Sequence, residues 1–272
     1  MKKKKYYFLL LTAAACLSFS GCKSREKVDL TSSHTEAESM SPTTAAAKET
    51  EAAKPEETAE EETKKGQSSA SALSVRSQIA THKDGKVSIE YPILSNLKNA
   101  DMEETVNTLI KEKAIQILTD YEVNAASDTV AVQCTVVSLD RSRAVLTYEG
   151  SLMTEGAAHP TALFYTTTVD LDKGVLMGLS DYADAYTMAG YLVSDDCVVH
   201  KPANSSEVKD YLKSQSLEDW WEVLKQCDFT ASGLEGFPQA FSYENEGTIY
   251  ISVPVSHAIG DFAIVSYTPD TK

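Results

Sequence analysis

The stretch Val130-Ala131-Val132-Gln133-Cys134-Thr135-Val136 alternates apolar and polar side chains, which is the pattern of a β-strand with one buried face. Two further alternating segments follow at 143–153 and 161–170. Three strands in succession, without a helix between them, are typical of an antiparallel sheet. We therefore expect such a sheet at the centre of the fold.

The residues before this region predict a strand and a helix. Residues 87–91 alternate as a strand that Pro92 would end or confine to a sheet edge, because proline has no backbone N–H. Residues 102–117 carry apolar side chains at helical spacing. Asp101 and Glu104 stand three residues apart before this run, and we interpret them as a capping box.

The residues after the central strands complete the pattern. The turn Asp172-Lys173-Gly174 leads into a short strand, and a second helical region covers 206–226, with a restart at Ser216-Leu217-Glu218-Asp219. Two more strands are expected at 247–255 and 262–267. Because strands and helices do not alternate regularly, we predict an α+β fold with a mainly antiparallel sheet packed with two helical regions.

The first 25 residues predict where the protein is located. Four lysines precede an apolar run at 6–19, and Ser20-Gly21-Cys22-Lys23 follows. This order is typical of a secretory signal with a bacterial lipoprotein processing site, and the apolar run is shorter than the roughly 20 residues of a membrane-spanning helix. We therefore expect a signal peptide at 1–21, cleavage before Cys22, lipid on its sulfur, and a protein anchored to the outer face of the cell membrane. A secreted protein without lipid is the alternative.

The mature chain is expected to begin with a tether. Residues 22–80 consist mostly of Ser, Thr, Ala, Glu and Lys, with almost no large apolar side chain. Such a segment cannot bury enough apolar surface to offset the entropy of ordering it. We therefore predict a disordered tether at 22–80, starting at the lipidated Cys22, and one folded domain at 81–272.

The charge of the chain restricts its partners. The full sequence carries a formal charge of −15, and residues 81–272 alone contain 29 acidic and 13 basic residues, a formal charge of −16. Nucleic acids are bound through lysine and arginine, so we expect no nucleic-acid partner. The excess of negative charge keeps an exposed surface soluble, and it would also attract a cationic partner.

Three cysteines remain after the signal peptide and Cys22. Cys134 lies on the apolar face of its strand and is expected to be a small buried hydrophobe. For Cys197 and Cys227, a disulfide and two free thiols are both open. No pair of cysteines has the C-x-x-C spacing of redox or zinc motifs. We expect neither a metal site nor a cofactor.

Seven short motifs stand in a fixed order between residues 86 and 269. They are Tyr148-Glu149-Gly150, Gly156-Ala157-Ala158-His159-Pro160, Asp170-Leu171-Asp172-Lys173-Gly174, Leu179-Ser180-Asp181-Tyr182, Phe237-Pro238-Gln239-Ala240-Phe241, the strand 247–254 and His257-Ala258-Ile259-Gly260-Asp261. Together these motifs resemble the extracytoplasmic family DUF3298, which often follows a companion family, DUF4163. Domains of this family form the outer part of a lysozyme-sensing anti-sigma factor and accompany the catalytic domain of a peptidoglycan deacetylase. The resemblance therefore implies a module that binds or senses a component of the cell envelope.

The sequence offers no catalytic residue that we would assign. It has no G-x-S-x-G, H-E-x-x-H or S-x-x-K motif, and the histidines of the folded region are isolated from one another. Gly156, His159 and Pro160 are candidate binding residues or parts of a rigid loop, and His257 has the same two interpretations. Trp220 and Trp221 could stack on a sugar or a peptide, although one of two adjacent helical tryptophans is usually buried.

Two hypotheses of different classes remain open. The first is a lipid-anchored, non-catalytic domain that binds an envelope partner, either a cationic lysozyme-like hydrolase or, as the second choice, peptidoglycan. The second is an enzyme that modifies cell-wall polysaccharide, such as a peptidoglycan hydrolase or a deacetylase-related protein, with residues that meet only in the fold. A pocket with convergent carboxylates or histidines would favour the enzyme, and a broad acidic face would favour the binding domain.

Overall fold

The computed structural model describes residues 74–234 and 236–269. The predicted signal peptide, Cys22 and most of the predicted tether lie outside the described residues. The elements in chain order are β1 (Arg76–Asp84), β2 (Val87–Ser95), α1 (Ala100–Asp120), β3 (Thr129–Leu139), β4 (Arg143–Met153), β5 (Thr161–Asp170), β6 (Val175–Met177), α2 (Ala185–Leu192), β7 (Val198–Lys201), α3 (Ser206–Ser214), α4 (Leu217–Lys225), β8 (Phe241–Asn245), β9 (Thr248–Pro254) and β10 (Phe262–Tyr267). Short 3₁₀ turns lie at Leu179–Asp181 and His257–Ile259.

Two sheets contain the described strands. The first has six strands in the order β1-β2-β3-β4-β5-β6, and the second has four in the order β7-β10-β9-β8. Neighbouring strands are antiparallel except β2 and β3, which pair in parallel over Val87–Ile89 and Val130–Val132. Helix α1 makes the crossover between these two strands, as a parallel pair requires. The predicted α+β class with a mainly antiparallel sheet is confirmed.

Helix α1 covers one face of the six-stranded sheet. Its buried side chains are Val106, Ile110, Ala114 and Ile117, and they pack with the apolar face of β3, β4 and β5. The hydroxyl of Tyr165, on β5, donates a hydrogen bond of 2.7 Å to the backbone carbonyl of Ala114. Burial of these aliphatic side chains contributes about 1.5–3 kcal/mol each to the free energy of folding. This packing fixes the position of β5.

The second sheet packs with α2, α3 and α4 in a separate hydrophobic cluster. The predicted restart of the helical region is confirmed, because Ser216 and Asp219 form a capping box at the start of α4. Trp220 is 3% exposed, and its indole Nε1–H donates a hydrogen bond of 2.9 Å to the carbonyl of Leu212. This bond joins α4 to α3.

A buried carboxylate lies beside the contact between the two sheets. Asp228, which is 4% exposed, accepts hydrogen bonds from the backbone amides of Leu179 at 2.8 Å and Ser242 at 2.6 Å. Thr166, on β5, donates a hydrogen bond of 2.7 Å to the carbonyl of Ser242, on β8. Burial raises the pKa of Asp228 to about 6, and the hydrogen bonds that it accepts oppose the shift.

Three details at the first strands differ from the sequence predictions. Strand β1 begins at Arg76, before the expected domain start at residue 81. Strand β2 continues through Pro92 to Ser95, so Pro92 does not end the strand, and the other predicted alternative, a sheet edge at Pro92, is the one observed. Helix α1 is capped by the side chain of Asn99, which accepts from the amide of Met102, so the predicted capping box at residues 101 and 104 is wrong.

The course of β2 through Pro92 has a physical explanation. The pairing of β2 with β3 ends at Ile89, so beyond it this edge of β2 has no neighbour among the described strands. On that edge Asn107, on α1, donates to the carbonyl of Leu94 at 2.8 Å and accepts from its amide at 2.7 Å. Backbone groups two residues apart in a strand point the same way. The N–H that Pro92 lacks would therefore face an edge without a strand partner.

Candidate functional site

The structure brings His159 and His257 together, although 97 residues separate them in the sequence. Their ring centroids are 6.0 Å apart, and the ring planes differ by 29°. His159 lies in the exposed connection between β4 and β5, and His257 lies in the exposed 3₁₀ turn between β9 and β10. We call the segments 156–161 and 256–261 together the histidine corner.

Asp261 connects the two halves of the histidine corner. One carboxylate oxygen accepts a hydrogen bond of 2.7 Å from the backbone amide of Ala162, at the start of β5. The other lies 2.8 Å from Nδ1 of His257. Gly260 and Asp261 have φ angles of 113° and 67°, in the region that favours glycine and tolerates aspartate. These bonds fix the His257 imidazole, with its Nε2 atom directed away from Asp261.

An aromatic pocket of about 200 Å³ opens beside the histidine corner. Its wall contains the first residues of β5, the segment 237–241 and the end of the 256–261 segment, together with Tyr121, Ser252 and Pro254. Phe164 stacks on Phe262 with centroids 5.3 Å apart, and Phe237 meets Tyr165 edge-on at 5.5 Å. Three segments that carried the family resemblance thus meet at one place on the molecule.

This arrangement can bind a ligand, and it contains part of an acid–base site. An imidazole that a carboxylate orients can act as a general base. A nucleophile beside it is missing, because no hydroxyl or thiol of the described residues forms a hydrogen bond with either histidine. Within residues 74–234 and 236–269, no three His, Cys, Asp or Glu side chains gather as a metal-binding group.

The two tryptophans occupy different environments. Trp220 is a buried core residue whose polar atom already has a partner, so a ligand cannot reach it, and its prediction as a binding residue is wrong. Trp221 is partly exposed and lines an open groove of about 790 Å³ between α4 and the segment 179–185. We call this the tryptophan groove. It is separate from the aromatic pocket, since no residue lines both.

The disulfide between Cys197 and Cys227 is absent from the structure, and both thiols are free and buried. Cys227 lies 3.3 Å from a carboxylate oxygen of Asp228, and Cys197 packs in the cluster of the second sheet. Burial raises the pKa of Cys197 to about 11 and that of Cys227 well above its usual value. Both are therefore protonated and unreactive at neutral pH.

Sequence reasoning found the histidines and missed the residues that position them. Asp261 was part of a quoted motif, and its spacing of four residues from His257 across Gly260 was the available signal. The aromatic residues of the pocket come from the end of α1, from β5, β8 and β10, and from the irregular segment before β8. No hydrophobic period in the sequence connects these regions, so their meeting could not be inferred without the fold.

Comparisons with known proteins give structural neighbours. No protein-family model matches this sequence, and the search of curated proteins found no match. A DUF3298 family member from Bacteroides fragilis is similar, with a TM-score of 0.41, 12% identity and coverage of 72% of this chain and 89% of that chain. A DUF3298 protein from Pseudomonas aeruginosa gives a TM-score of 0.37, 13% identity and coverage of 68% and 84%. The family that the sequence motifs resemble is thus also the family of these neighbours.

None of the helices in the described part of the chain is both long and apolar enough to cross a membrane.

Proposed function

We propose that this chain is a bacterial lipoprotein, anchored to the cell membrane through Cys22, whose extracytoplasmic domain binds an envelope partner without catalysing a reaction. The order of charged, apolar and small residues before Cys22 supports the anchor. The charge of the domain and the geometry of the histidine corner support the binding role.

The observation that carries the binding role is the convergence of three separate segments on the aromatic pocket. Aromatic side chains provide a large contact area at a low cost in conformational entropy, and they are enriched in binding sites. His159 and His257 are exposed in the adjoining histidine corner, where they can donate or accept hydrogen bonds, and Asp261 lines the pocket and contacts His257. An apolar pocket with a few polar groups beside it is the usual form of a recognition site.

The proposed partner is a cationic, lysozyme-like cell-wall hydrolase, and peptidoglycan is the second choice. The domain of residues 81–272 has a formal charge of −16. Complementary charge mainly raises the rate of association, while the contact itself gives specificity. The on-rate should therefore fall as salt rises from about 50 to 300 mM, because the Debye length shortens from roughly 14 to 6 Å.

A binding experiment with the purified full chain tests this proposal. Association with a basic muramidase is measured by surface plasmon resonance, and a basic cytochrome of similar size serves as the control partner. The double variant His159→Ala, His257→Ala should weaken muramidase binding, and His200→Ala, which changes an exposed histidine on β7, should not. Equal affinity for the muramidase and the cytochrome would reduce the effect to nonspecific charge attraction.

The anchor has its own test. Wild-type protein expressed in bacteria should take up a labelled fatty acid and enter the detergent phase. Cys22→Ala should lose the label while the domain keeps its melting temperature. Label that persists in Cys22→Ala would refute the lipid anchor.

A second candidate function is the modification of cell-wall polysaccharide. The observation in its favour is the contact between Asp261 and His257, which orients an exposed imidazole. Release of soluble sugar from purified peptidoglycan, lost in His257→Ala with the fold intact, would establish an enzyme. We expect no such release.

A further inference from the structure

The tryptophan groove already holds one cation of the protein itself. The ammonium group of Lys225 lies 4.4 Å from the ring centroid of Trp221, and it also contacts a carboxylate oxygen of Glu222 at 2.6 Å. Tyr186 meets the same indole edge-on, with centroids 5.6 Å apart. Tryptophan is the aromatic side chain that attracts cations most strongly. The indole is therefore positioned to receive positive charge.

Two exposed carboxylates line the opposite wall of the groove. Asp181 uses one oxygen to accept from the amide of Gly178 at 2.8 Å, and Asp184 uses one to cap α2, accepting from the amide of Thr187 at 2.8 Å. Among the described residues, the second oxygen of Asp181 accepts no hydrogen bond, and neither carboxylate forms an ion pair with a lysine or arginine. The hydrogen bonds from Thr187 lower the pKa of Asp184, so this group stays ionised well below neutral pH.

The side chains that line the groove carry more negative than positive charge, which favours the binding of a cation. Among the described residues of the lining, Asp181 and Asp184 are acidic and Lys225 is basic, and Lys225 already contacts Glu222. The rest of the wall is mixed, with Leu179, Leu224 and small polar residues. An aliphatic stem with a positive end fits such a wall better than a neutral or anionic group does.

We propose that the tryptophan groove binds an exposed lysine or arginine side chain of a protein partner. In the free protein Lys225 occupies the indole face, and the side chain of the partner displaces it. The negative charge of the domain argues for a basic protein as the occupant. The choice of a protein as the source of this cation rests on the proposed function, and the groove itself is separate from the histidine corner.

Binding of acetylated tetra-arginine amide to the full chain at 50 mM salt tests the proposal, and a tetra-citrulline peptide of the same length is the uncharged control. Trp221→Leu should weaken tetra-arginine binding about tenfold, a size consistent with one cation–π contact of the stronger kind. Lys225→Met should strengthen binding several-fold, because the indole face becomes free. The double variant Asp181→Asn, Asp184→Asn keeps the oxygens that accept from Gly178 and Thr187, and it should weaken binding at least fivefold, as a loss of two nearby charges implies.

The matched control is a double variant on α1, Glu104→Gln with Glu112→Gln, which removes the same charge from exposed residues outside the groove. Equal weakening by the two double variants would overturn the proposal in favour of nonspecific attraction. Weaker binding in Lys225→Met would refute the displacement. Thermal melting shows whether Trp221→Leu is misfolded. If it is, the binding of tetra-arginine to the Asp181→Asn, Asp184→Asn variant tests the proposal instead.

The outcome also separates this proposal from the proposed function. Tetra-arginine binding at the groove in a chain that binds no envelope partner would overturn the proposed function alone. Muramidase binding that is unchanged in the groove variants, with no groove-dependent binding of tetra-arginine, would overturn the groove proposal alone.

Discussion

Asp228 accepts hydrogen bonds from both the backbone amide and the hydroxyl group of Ser242, at 2.6 and 2.5 Å. The same carboxylate accepts from the amide of Leu179 and so holds the 3₁₀ turn of residues 179–181 against the second sheet. Thr166, on β5, donates to the carbonyl of the same Ser242, which is a direct hydrogen bond between the two sheets. The carboxylate of Asp228 therefore ties the 3₁₀ turn to β8 beside the place where the sheets meet.

We predict that Asp228→Asn destabilises the domain by about 2–4 kcal/mol at pH 7, because the amide –NH₂ would face a backbone N–H and leave a buried donor without a partner. Urea denaturation measures the difference. Asp172→Asn, an exposed carboxylate in the turn before β6, should change the free energy of unfolding by less than about 0.5 kcal/mol. Equal effects of the two substitutions would show that the network does not stabilise the fold.

The pH dependence of the free energy of unfolding, compared between wild type and Asp228→Asn, gives a second prediction. The folded-state pKa of Asp228, about 6, lies above the value of 3.8 expected when unfolded. Protonation therefore favours the folded state, and this contribution is lost as pH rises from about 4 to 6. The stability difference between wild type and Asp228→Asn should grow by up to about 3 kcal/mol as pH falls from 7 to 4. A constant difference would contradict the raised pKa.

The two tryptophans should differ strongly in their effect on stability. Trp220→Phe removes buried volume and leaves the carbonyl of Leu212 without its donor, so we expect a loss of about 2–4 kcal/mol. Trp221→Phe should cost less than about 1 kcal/mol, because this ring is partly exposed. Chemical denaturation of the two variants compares them directly. A larger loss for Trp221→Phe would contradict the burial that we describe.

Asp261 should matter more for the fold of the histidine corner than either histidine. Asp261→Ala removes the acceptor of Ala162 and places alanine at a positive φ angle, for an expected loss of about 1–3 kcal/mol. His159→Gln should change the free energy of unfolding by less than about 0.5 kcal/mol, because the side chain is exposed. Thermal and urea melts check both values. A marked destabilisation by His159→Gln would assign this histidine a structural role.

The start of the folded domain can be tested by truncation. Strand β1 pairs with β2 from Arg76 to Asp84, so a chain that starts at Ser74 should melt like the full mature chain. A chain that starts at Thr81 loses the pairs between 76–80 and 91–95, and its melting temperature should fall by several degrees, as a loss of about 1–2 kcal/mol implies for a domain of this size. Identical melting of the two truncated chains would restore the boundary at residue 81.

The sequence predicted secondary structure best where the hydrophobic pattern keeps one period over the whole strand or helix. The alternation of residues 130–136 predicted β3, whose burial does alternate. The predicted segments 143–153 and 161–170 match the bounds of β4 and β5, although both strands bury several consecutive residues. Strand β1 was missed because both of its faces are mostly exposed, so its side chains do not alternate. Helix α2 was missed because its eight residues are too few to show a helical period clearly.

The candidate site was predicted residue by residue, and its assembly was not. His159 and His257 were selected from two separate motifs, and their contact depends on the connection of β4 to β5 meeting the turn before β10. The burial of Trp220 and the partial exposure of Trp221 follow from the packing of α4 against α2 within the cluster of the second sheet. Helical spacing alone does not distinguish two adjacent residues at the border of an apolar face.

Strand β1 also determines how the domain would respond to mechanical force. Among the described strands it lies at the edge of its sheet and pairs with β2 alone. Tension applied through the residues before Arg76 would open the β1–β2 ladder from the Arg76–Ser95 end, one pair at a time, towards the turn at Gly85. Sequential opening of pairs requires less force than shearing a whole strand. Strand β1 would therefore detach before the force acts on α1 and the hydrophobic core. Single-molecule pulling from the N-terminal side should then show a small extension at low force before the main unfolding event.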